Sequence, residues 1–349
     1  MSKRVLLTGG LGFIGCHTVE HWLKNTDWEI VVIDALRFSG RIERLTDIEG
    51  YDPDRVSVIW HDMRAPLHSQ IKAKIGPVDY IVNMASDSHV DRSITHPVDF
   101  VQNNVSLVLN MLEYAREVKP EKFIQVSTDE VYGPAPLGHD HSEGEPHRPS
   151  NPYSASKSAQ ESIAYSYWRT YNVPVIITNT MNNFGERQHP EKYVPMVIKK
   201  ILSGDLIEIH SKPNHDTGFA ETEENAWTIG SRVWLHARNH ADAIQFILEN
   251  VEVCDYIDTS ATPDIQRFNV AGEKEIDNLE IVKMIAEIIG KEPNYKLVDF
   301  HSSRPGHDLR YSLDGTKLKE YGWNAPISVK ESFERTVKWT MSRPDWLVE

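Results

Sequence analysis

Short apolar runs rich in Val and Ile recur along the first half of the chain, at residues 4–8 (RVLLT), 29–33 (EIVVI), 56–60 (VSVIW), 79–83 (DYIVN), 122–126 (KFIQV) and 174–177 (PVII). Runs of this length without strict alternation predict strands buried on both faces, as in a parallel sheet. Between them, apolar positions fall at helical spacing over 13–25, 98–118 and 153–171. The alternation predicts an α/β fold with a doubly wound parallel sheet of the Rossmann type. After residue 185 the pattern loosens into Pro-rich and polar stretches. Helical spacing returns near 240–250, 277–290 and 328–341, with a loop at 301–311, which predicts a smaller C-terminal α/β lobe. Residues 211–230 (SKPNHDTGFAETEENAWTIG) are polar, acidic and aperiodic and read as a long loop.

The length of 349 residues suits one large α/β unit or a nucleotide-binding domain with a smaller companion. With 51 acidic against 37 basic side chains, the formal charge of −14 offers no field for a nucleic-acid backbone, so no nucleic-acid partner is expected. A diphosphate ligand would instead need a few arginines clustered against this background. Cys16 and Cys254 make no disulfide framework and fall in no metal-ligand spacing, so a reducing compartment and no metal in the site are expected. No apolar stretch approaches the roughly 20 residues that span a bilayer, so no membrane partner is expected and the predicted location is cytoplasmic.

Directly after the first strand stands Thr8-Gly9-Gly10-Leu11-Gly12-Phe13-Ile14-Gly15. Glycines at this spacing, opening a helix, let backbone N–H groups approach a pyrophosphate at the positive helix end. Asp34 ends the second strand 19 residues past Gly15, where a carboxylate accepts from adenosine ribose hydroxyls and repels a 2′-phosphate. The expected cofactor is therefore NAD rather than NADP, although Arg37 stands near enough in sequence to meet a 2′-phosphate. The plainer reading makes the glycines a tight turn and Asp34 a strand-end turn residue.

Tyr153 and Lys157 lie four apart in a predicted helix and so share one face. An ammonium beside a phenol stabilises the phenolate and makes it a usable base. The pair fits oxidation of a hydroxyl; packing of the ring beside a solvated lysine is the alternative. The TGGLGFIG turn together with YSASK resembles the extended short-chain dehydrogenase/reductase superfamily. Ser127-Thr128-Asp129-Glu130-Val131-Tyr132-Gly133, Ser88-His89-Val90-Asp91-Arg92-Ser93, Asn182-Asn183-Phe184-Gly185, Pro190-Glu191-Lys192 and Arg304-Pro305-Gly306-His307-Asp308 resemble the dTDP-glucose 4,6-dehydratase family over nearly the whole chain.

That resemblance implies an NAD-dependent hydro-lyase acting on a nucleotide-diphosphate hexose, dTDP-glucose first among candidates. In it Tyr153 takes the C4 hydroxyl proton, Lys157 lowers the phenol's pKa and Thr128 holds the C4 oxygen. Elimination across C5 and C6 needs a proton acceptor and a proton donor, which Glu130 and Asp129 supply. Gly9, Gly12, Phe13, Ile14, Gly15, Asp34, Asp62, Met63, Ala85, Asn103 and Asn183 carry over as cofactor contacts with Tyr153 and Lys157. Ser88, Asn182, Lys192, Tyr193, Arg232, Asn269, Arg304 and His307 carry over with Thr128 as substrate contacts. Residues 1–185, rejoined by 233–270, would form the NAD-binding domain, and 186–232 with 271–349 the nucleotide-sugar lobe. The resemblance also implies a homodimer through a four-helix interface from 98–118 and 153–171, with Val105, Val108, Leu109 and Leu112 as an apolar stripe, or else as packing on the chain's own sheet.

Three departures bear on the substrate. Ala85-Ser86-Asp87-Ser88-His89 stands where the family has Ala-Ala-Glu-Ser-His, residues 211–230 replace a short Gly-rich turn near the nucleobase, and Arg238-Asn239 replaces an acidic pair. A 4-epimerase or decarboxylase on the same fold would share the glycine turn and the Tyr-Lys pair without needing Asp129 as an acid. A non-catalytic NAD sensor would need neither the carboxyls nor the pair.

Overall fold

The protein is described by a computed structural model over residues 2–213, 227–254, 264–299 and 308–348. The first half alternates β1 (Arg4–Thr8), α1 (Phe13–Asn25), β2 (Glu29–Asp34), α2 (Glu43–Thr46), β3 (Val56–Trp60), α3 (Ser69–Ile75) and β4 (Tyr80–Asn83). It continues through α4 (Val90–Thr95), α5 (Pro97–Val118), β5 (Lys122–Thr128), a 3-10 turn (Asp129–Tyr132), α6 (Pro152–Tyr171) and β6 (Val175–Thr180). Then come β7 (Asn183–Phe184), α7 (Tyr193–Ser203), β8 (Ile207–Pro213), β9 (Trp227–Ile229), β10 (Ser231–Val233), β11 (Leu235–His236) and α8 (Ala237–Asn250). The chain closes with β12 (Gln266–Val270), β13 (Glu275–Asp277), α9 (Asn278–Ile289), β14 (Tyr295–Asp299), β15 (Arg310–Tyr311), α10 (Thr316–Glu320) and α11 (Val329–Ser342).

Seven strands form one sheet in the order β12-β6-β5-β4-β1-β2-β3, parallel throughout. Because side chains alternate along a strand, Val5 and Leu7 enter the core on one face and Leu6 the core on the other, and all three are fully buried. The first face is covered by Trp22 of α1 and Ile244 of α8, the second by Leu112 of α5 and Trp168 of α6. β1 pairs with both β2 and β4, so the chain's winding reverses there and leaves a crevice beyond the strands' carboxyl ends. The six apolar runs are all strands of this sheet, and the doubly wound reading holds.

A smaller core gathers Phe184, Ile198, Trp234, Ile285 and Phe333, with Phe184 stacked on Phe333 at 4.0 Å. Small mixed sheets, β13-β10-β15 and β14-β8-β9, flank it. Several expectations change here. Residues 193–203 are helical, since Pro195 sits in the first turn, where its missing N–H would be unbonded anyway. The ends of the expected 211–230 loop are strands, with Ser211 opposite Ile229 and Pro213 opposite Trp227; residues 214–226 lie outside the described part. Residues 310–311 of the expected 301–311 loop pair with β10. Tyr311, Leu313, Leu318 and Trp323 pack into the sheet's own core, so packing crosses the expected lobe boundary at 271.

The α5 stripe divides by helical phase. Val108 and Leu112 are fully buried against the chain's own sheet, Val105 is half-buried and Leu109 (38% exposed) faces outward, as does Val98 (65%) outside the stripe. Cys16 and Cys254 are free thiols, and no helix among the described residues is long and apolar enough to cross a membrane.

Candidate active site

A cleft of about 370 Å³ opens over the carboxyl ends of the strands. One end is made of backbone. Gly12 precedes α1 as a cap with no side-chain hydrogen bond, leaving the helix's first N–H groups directed at the cleft. Gly9 has φ +75°, and a Cβ on Gly15 would lie 2.2 Å from the Gly9 carbonyl oxygen. No larger side chain fits there without moving the turn. Asp34 reaches the same end; its Oδ2 accepts from the Leu11 amide (3.0 Å) and its Oδ1 from the Leu36 amide (2.9 Å). Burial raises its pKa, against those two amides. Each oxygen keeps a second lone pair for a ligand hydroxyl.

Phe13, Ile14, Met63, Ala85, Asn103 and Asn183 line the cleft as well, as does Asp62, whose carboxylate is paired with Arg64 at 3.0 Å. The Arg37 guanidinium is turned toward Asn103 and stands 3.9 Å from Asp87, so it is tied within the protein rather than beside Asp34. An uncapped helix end, a turn without room for Cβ atoms and a carboxylate at the second strand's tip fit an adenine dinucleotide.

The other end is made of ionisable side chains. β5 ends at Thr128 and the chain tightens at once into the 3-10 turn, which delivers Asp129 and Glu130 to the cleft. Asp129 is 3% exposed; its Oδ1 accepts from Thr128 Oγ1 at 2.8 Å and its Oδ2 is buried without a partner. Loss of hydration pushes its pKa up to about 6. Burial and then the neighbouring Asp129 charge push Glu130 up to about 7. Two such carboxyls titrate as one unit, which holds about one proton between about pH 6 and 7.

Asn151 caps α6 through a reciprocal bond with Ser154, with Pro152 in the first turn. The same Asn151 donates from Nδ2 to Glu130 Oε2 at 3.0 Å. From the first two turns of the helix, Tyr153 and Lys157 project into the cleft. The phenol departs from expectation, because its pKa is raised by burial and by the Glu130 charge rather than lowered by Lys157. Lys157 Nζ donates instead to the Val126 carbonyl and to Gln160 Oε1, both at 2.7 Å, and burial lowers it to about 8.

Of the expected substrate contacts, Ser88, Asn182, Lys192 and Tyr193 line the cleft; Tyr193 donates to the Asn278 carbonyl at 2.8 Å. Arg232 lies behind the wall, its Nη1 bonded to the Ser231 carbonyl and its Nη2 to that of Asp308, each at 2.7 Å. Its positive charge still lowers both carboxyls. Asn269 does not line the cleft: it is fully buried in β12, at the far side of β6, and Nδ2 ties the carbonyls of His141 (2.9 Å) and Asp314 (3.1 Å). Arg304 and His307 lie outside the described residues. Cleft residues that the sequence reading missed include Phe38, Arg44, Gln188 and His189. The Asn-Pro pair before Tyr153 is a helix-start signal that would have found Asn151.

The sequence pattern of the GDP-mannose 4,6 dehydratase family matches residues 6–336. The chain belongs to the NAD-dependent nucleotide-sugar dehydratase/epimerase family. It is 32% identical to the dTDP-glucose 4,6-dehydratase of Shigella flexneri, covering 99% of this chain and 94% of that relative. The dTDP-glucose 4,6-dehydratase DesIV of Streptomyces venezuelae, whose crystal structure has NAD bound, superposes with a TM-score of 0.81 at 31% identity over 98% of both chains. UDP-glucose 4-epimerase of Thermus thermophilus, also in complex with NAD, gives 0.79 at 26% identity over 97% of this chain and 99% of that one. The family fold therefore carries more than one chemistry, and the choice between them falls to the side chains of the site.

Proposed function

We propose that the protein is a nucleotide-sugar 4,6-dehydratase that converts an NDP-hexose, dTDP-glucose first among candidates, to the 4-keto-6-deoxy sugar and water. The observation that carries this reading is the adjacent Asp129-Glu130 pair, the first carboxyl buried and the second half-buried, in one cleft with Tyr153. A 4-epimerase has no use for a second carboxyl that keeps a proton near neutrality.

NAD, held at the glycine turn and Asp34, would supply a cationic acceptor for hydride from C4 and, once reduced, the hydride donor to C6. Tyr153 receives the C4 hydroxyl proton while Thr128 steadies the oxygen it leaves. With its phenol pKa raised by burial, Tyr153 needs positive charge brought near it before it can act as a base. Lys157, anchored by Val126 and Gln160, is a fixed source of that charge one helical turn away. Once C4 is a ketone the C5–H bond is acidic. Glu130 then removes the C5 proton and Asp129 donates one to the leaving C6 hydroxyl, which requires the proton that the free pair holds mainly on Glu130 to pass to Asp129 when substrate binds; Glu130 gives its proton back to C5 as hydride returns to C6. Asn151 keeps Glu130 in place. In our reading two copies assemble through the outward Val98 and Leu109 positions of α5 and the adjoining α6.

Incubation with dTDP-, UDP-, GDP- and CDP-linked glucose or mannose, followed by assay of the alkali-induced absorbance of a 4-keto-6-deoxy product, tests the proposal. A C4 epimer as the sole product overturns it.

A further inference from the structure

The loop between the carboxyl pair and α6 gathers two imidazoles and a carboxylate that the proposed reaction does not use. His139 Nε2, His141 Nδ1 and the Glu145 carboxylate converge within 4.8 Å of one another. Glu145 Oε1 lies 3.0 Å from His139 Nε2, and Oε2 lies 2.7 Å from His141 Nδ1. None of the three lines the cleft.

Contacts outside the trio hold it in shape. His141 is 8% exposed and its ring stacks on Tyr132 at 5.5 Å and 21°. Its backbone N–H donates to the Ser312 carbonyl at 3.0 Å, and its carbonyl accepts from Asp314 N and from Asn269 Nδ2, each at 2.9 Å. Arg310 reaches across to the Pro136 carbonyl and to Asp140, both at 2.7 Å. On the carboxylate side the Ser142 amide donates to Glu145 Oε1 at 3.0 Å. His139 is the exposed member, edge-on to His141 at 5.2 Å.

We propose that His139, His141 and Glu145 form a site for a divalent transition ion of the zinc class, with water completing its shell. Two imidazole nitrogens and one carboxylate oxygen are a borderline donor set, which magnesium and calcium, as oxygen-seeking ions, do not favour. Zinc bonds to such ligands are about 2.0–2.2 Å long, which sets tetrahedral ligand atoms roughly 3.3–3.6 Å apart. Measured from one carboxylate oxygen, Oε2, the His139 and His141 nitrogens stand 3.1 and 2.7 Å away, so the first separation needs to open by a few tenths of an ångström and the second by roughly 0.6–0.9 Å. Exposed His139 supplies the smaller movement, and rotation of the half-buried Glu145 carboxylate away from the stacked His141 supplies the larger. The remaining nitrogen of His141, Nε2, is buried without a partner. A ligand imidazole lacking an outer hydrogen bond binds about 10–100-fold more weakly than one that has it, so affinity falls below that of a closed four-ligand site. The bound ion would tie the loop whose two ends present Glu130 and Asn151.

Chelator-treated full-length protein is dialysed against zinc chloride and the bound metal counted; cobalt(II) is added in parallel and its visible d–d absorption read. One ion per chain is expected, with a Tm higher by about 3 °C at saturating zinc. His139→Ala and Glu145→Gln should each weaken binding by about tenfold or more and abolish the cobalt band, while circular dichroism shows both variants folded. A wild-type protein that retains no zinc after dialysis overturns the proposal. So do two folded variants that bind zinc as tightly as the wild type, because the ion would then sit elsewhere and the trio would be a hydrogen-bonded loop clasp.

Discussion

The two ends of the cleft are built by opposite means. At the glycine turn the protein contributes backbone N–H groups and withheld volume, so the limiting quantity is space. At the end of β5 it contributes buried and half-buried side chains whose protonation is displaced from the ordinary range, so the limiting quantity is charge. A substitution that one end absorbs should therefore be ruinous at the other, and that asymmetry can be tested.

The largest effect is expected from Tyr153→Phe, which removes the proton acceptor with hardly a change of shape. Turnover should fall by about 10³-fold or more, and no reduced cofactor should appear even in a single-turnover mixing experiment. Retained turnover would undo the assignment of Tyr153. Asp129→Asn and Glu130→Gln should leave cofactor reduction detectable while slowing product formation by about 10²-fold. An unchanged elimination rate would count against the carboxyl pair.

These two variants should also be more stable than the wild type above neutrality. Both carboxyls have folded-state pKa values raised, to about 6 and about 7, above those of an unfolded chain. The native state thus holds protons that the unfolded state releases, and stability declines as pH rises from about 4 to about 7. Removing either charge should recover roughly 1–3 kcal/mol at pH 8 and nothing near pH 4, measured by denaturant unfolding at the two pH values. A variant less stable than wild type at both would show that desolvation does not govern the pair.

At the other end, Gly15→Ala keeps every charge and adds one methyl 2.2 Å from a backbone oxygen. NAD affinity should drop by about tenfold or more, with stability lower by about 1–3 kcal/mol. Titration calorimetry that finds the wild-type affinity would show that the turn has slack and weaken the contrast between the two ends. Asn151→Ala is the mildest change. It should cost about 1 kcal/mol as a lost helix cap and shift the acid limb of the pH–rate profile upward as Glu130 loses its donor.

What could be read from the sequence follows the same division. Strands such as RVLLT and EIVVI declare themselves because both faces are buried, and the glycine turn declares itself because backbone shape demands a residue type. β12 (QRFNV) escaped because Arg267 and Asn269 face polar partners, Glu161 and the His141 and Asp314 carbonyls, which breaks the apolar run. α7 was hidden by a proline that is harmless only in a first turn. The electrostatics were less legible still. Spacing placed Tyr153 and Lys157 on one helix face, yet the direction of the phenol's shift depends on burial and on Glu130, a neighbour through space. Likewise, the resemblance carries Asn269 over as a substrate contact, whereas its side chain ties the carbonyls of His141 and Asp314. The His139–His141–Glu145 spacing was in plain view, but its convergence depends on a fold in the loop that no periodicity records.

Asn151 begins a helix and, through its other side-chain atom, restrains a proton-carrying carboxyl. Selection for folding and selection for turnover therefore act on the same codon. A lineage that drifts to a new chemistry and no longer needs Glu130 would still need a capping oxygen here, which serine, threonine or aspartate supplies as well, so it is the amide donor alone that ties this position to elimination.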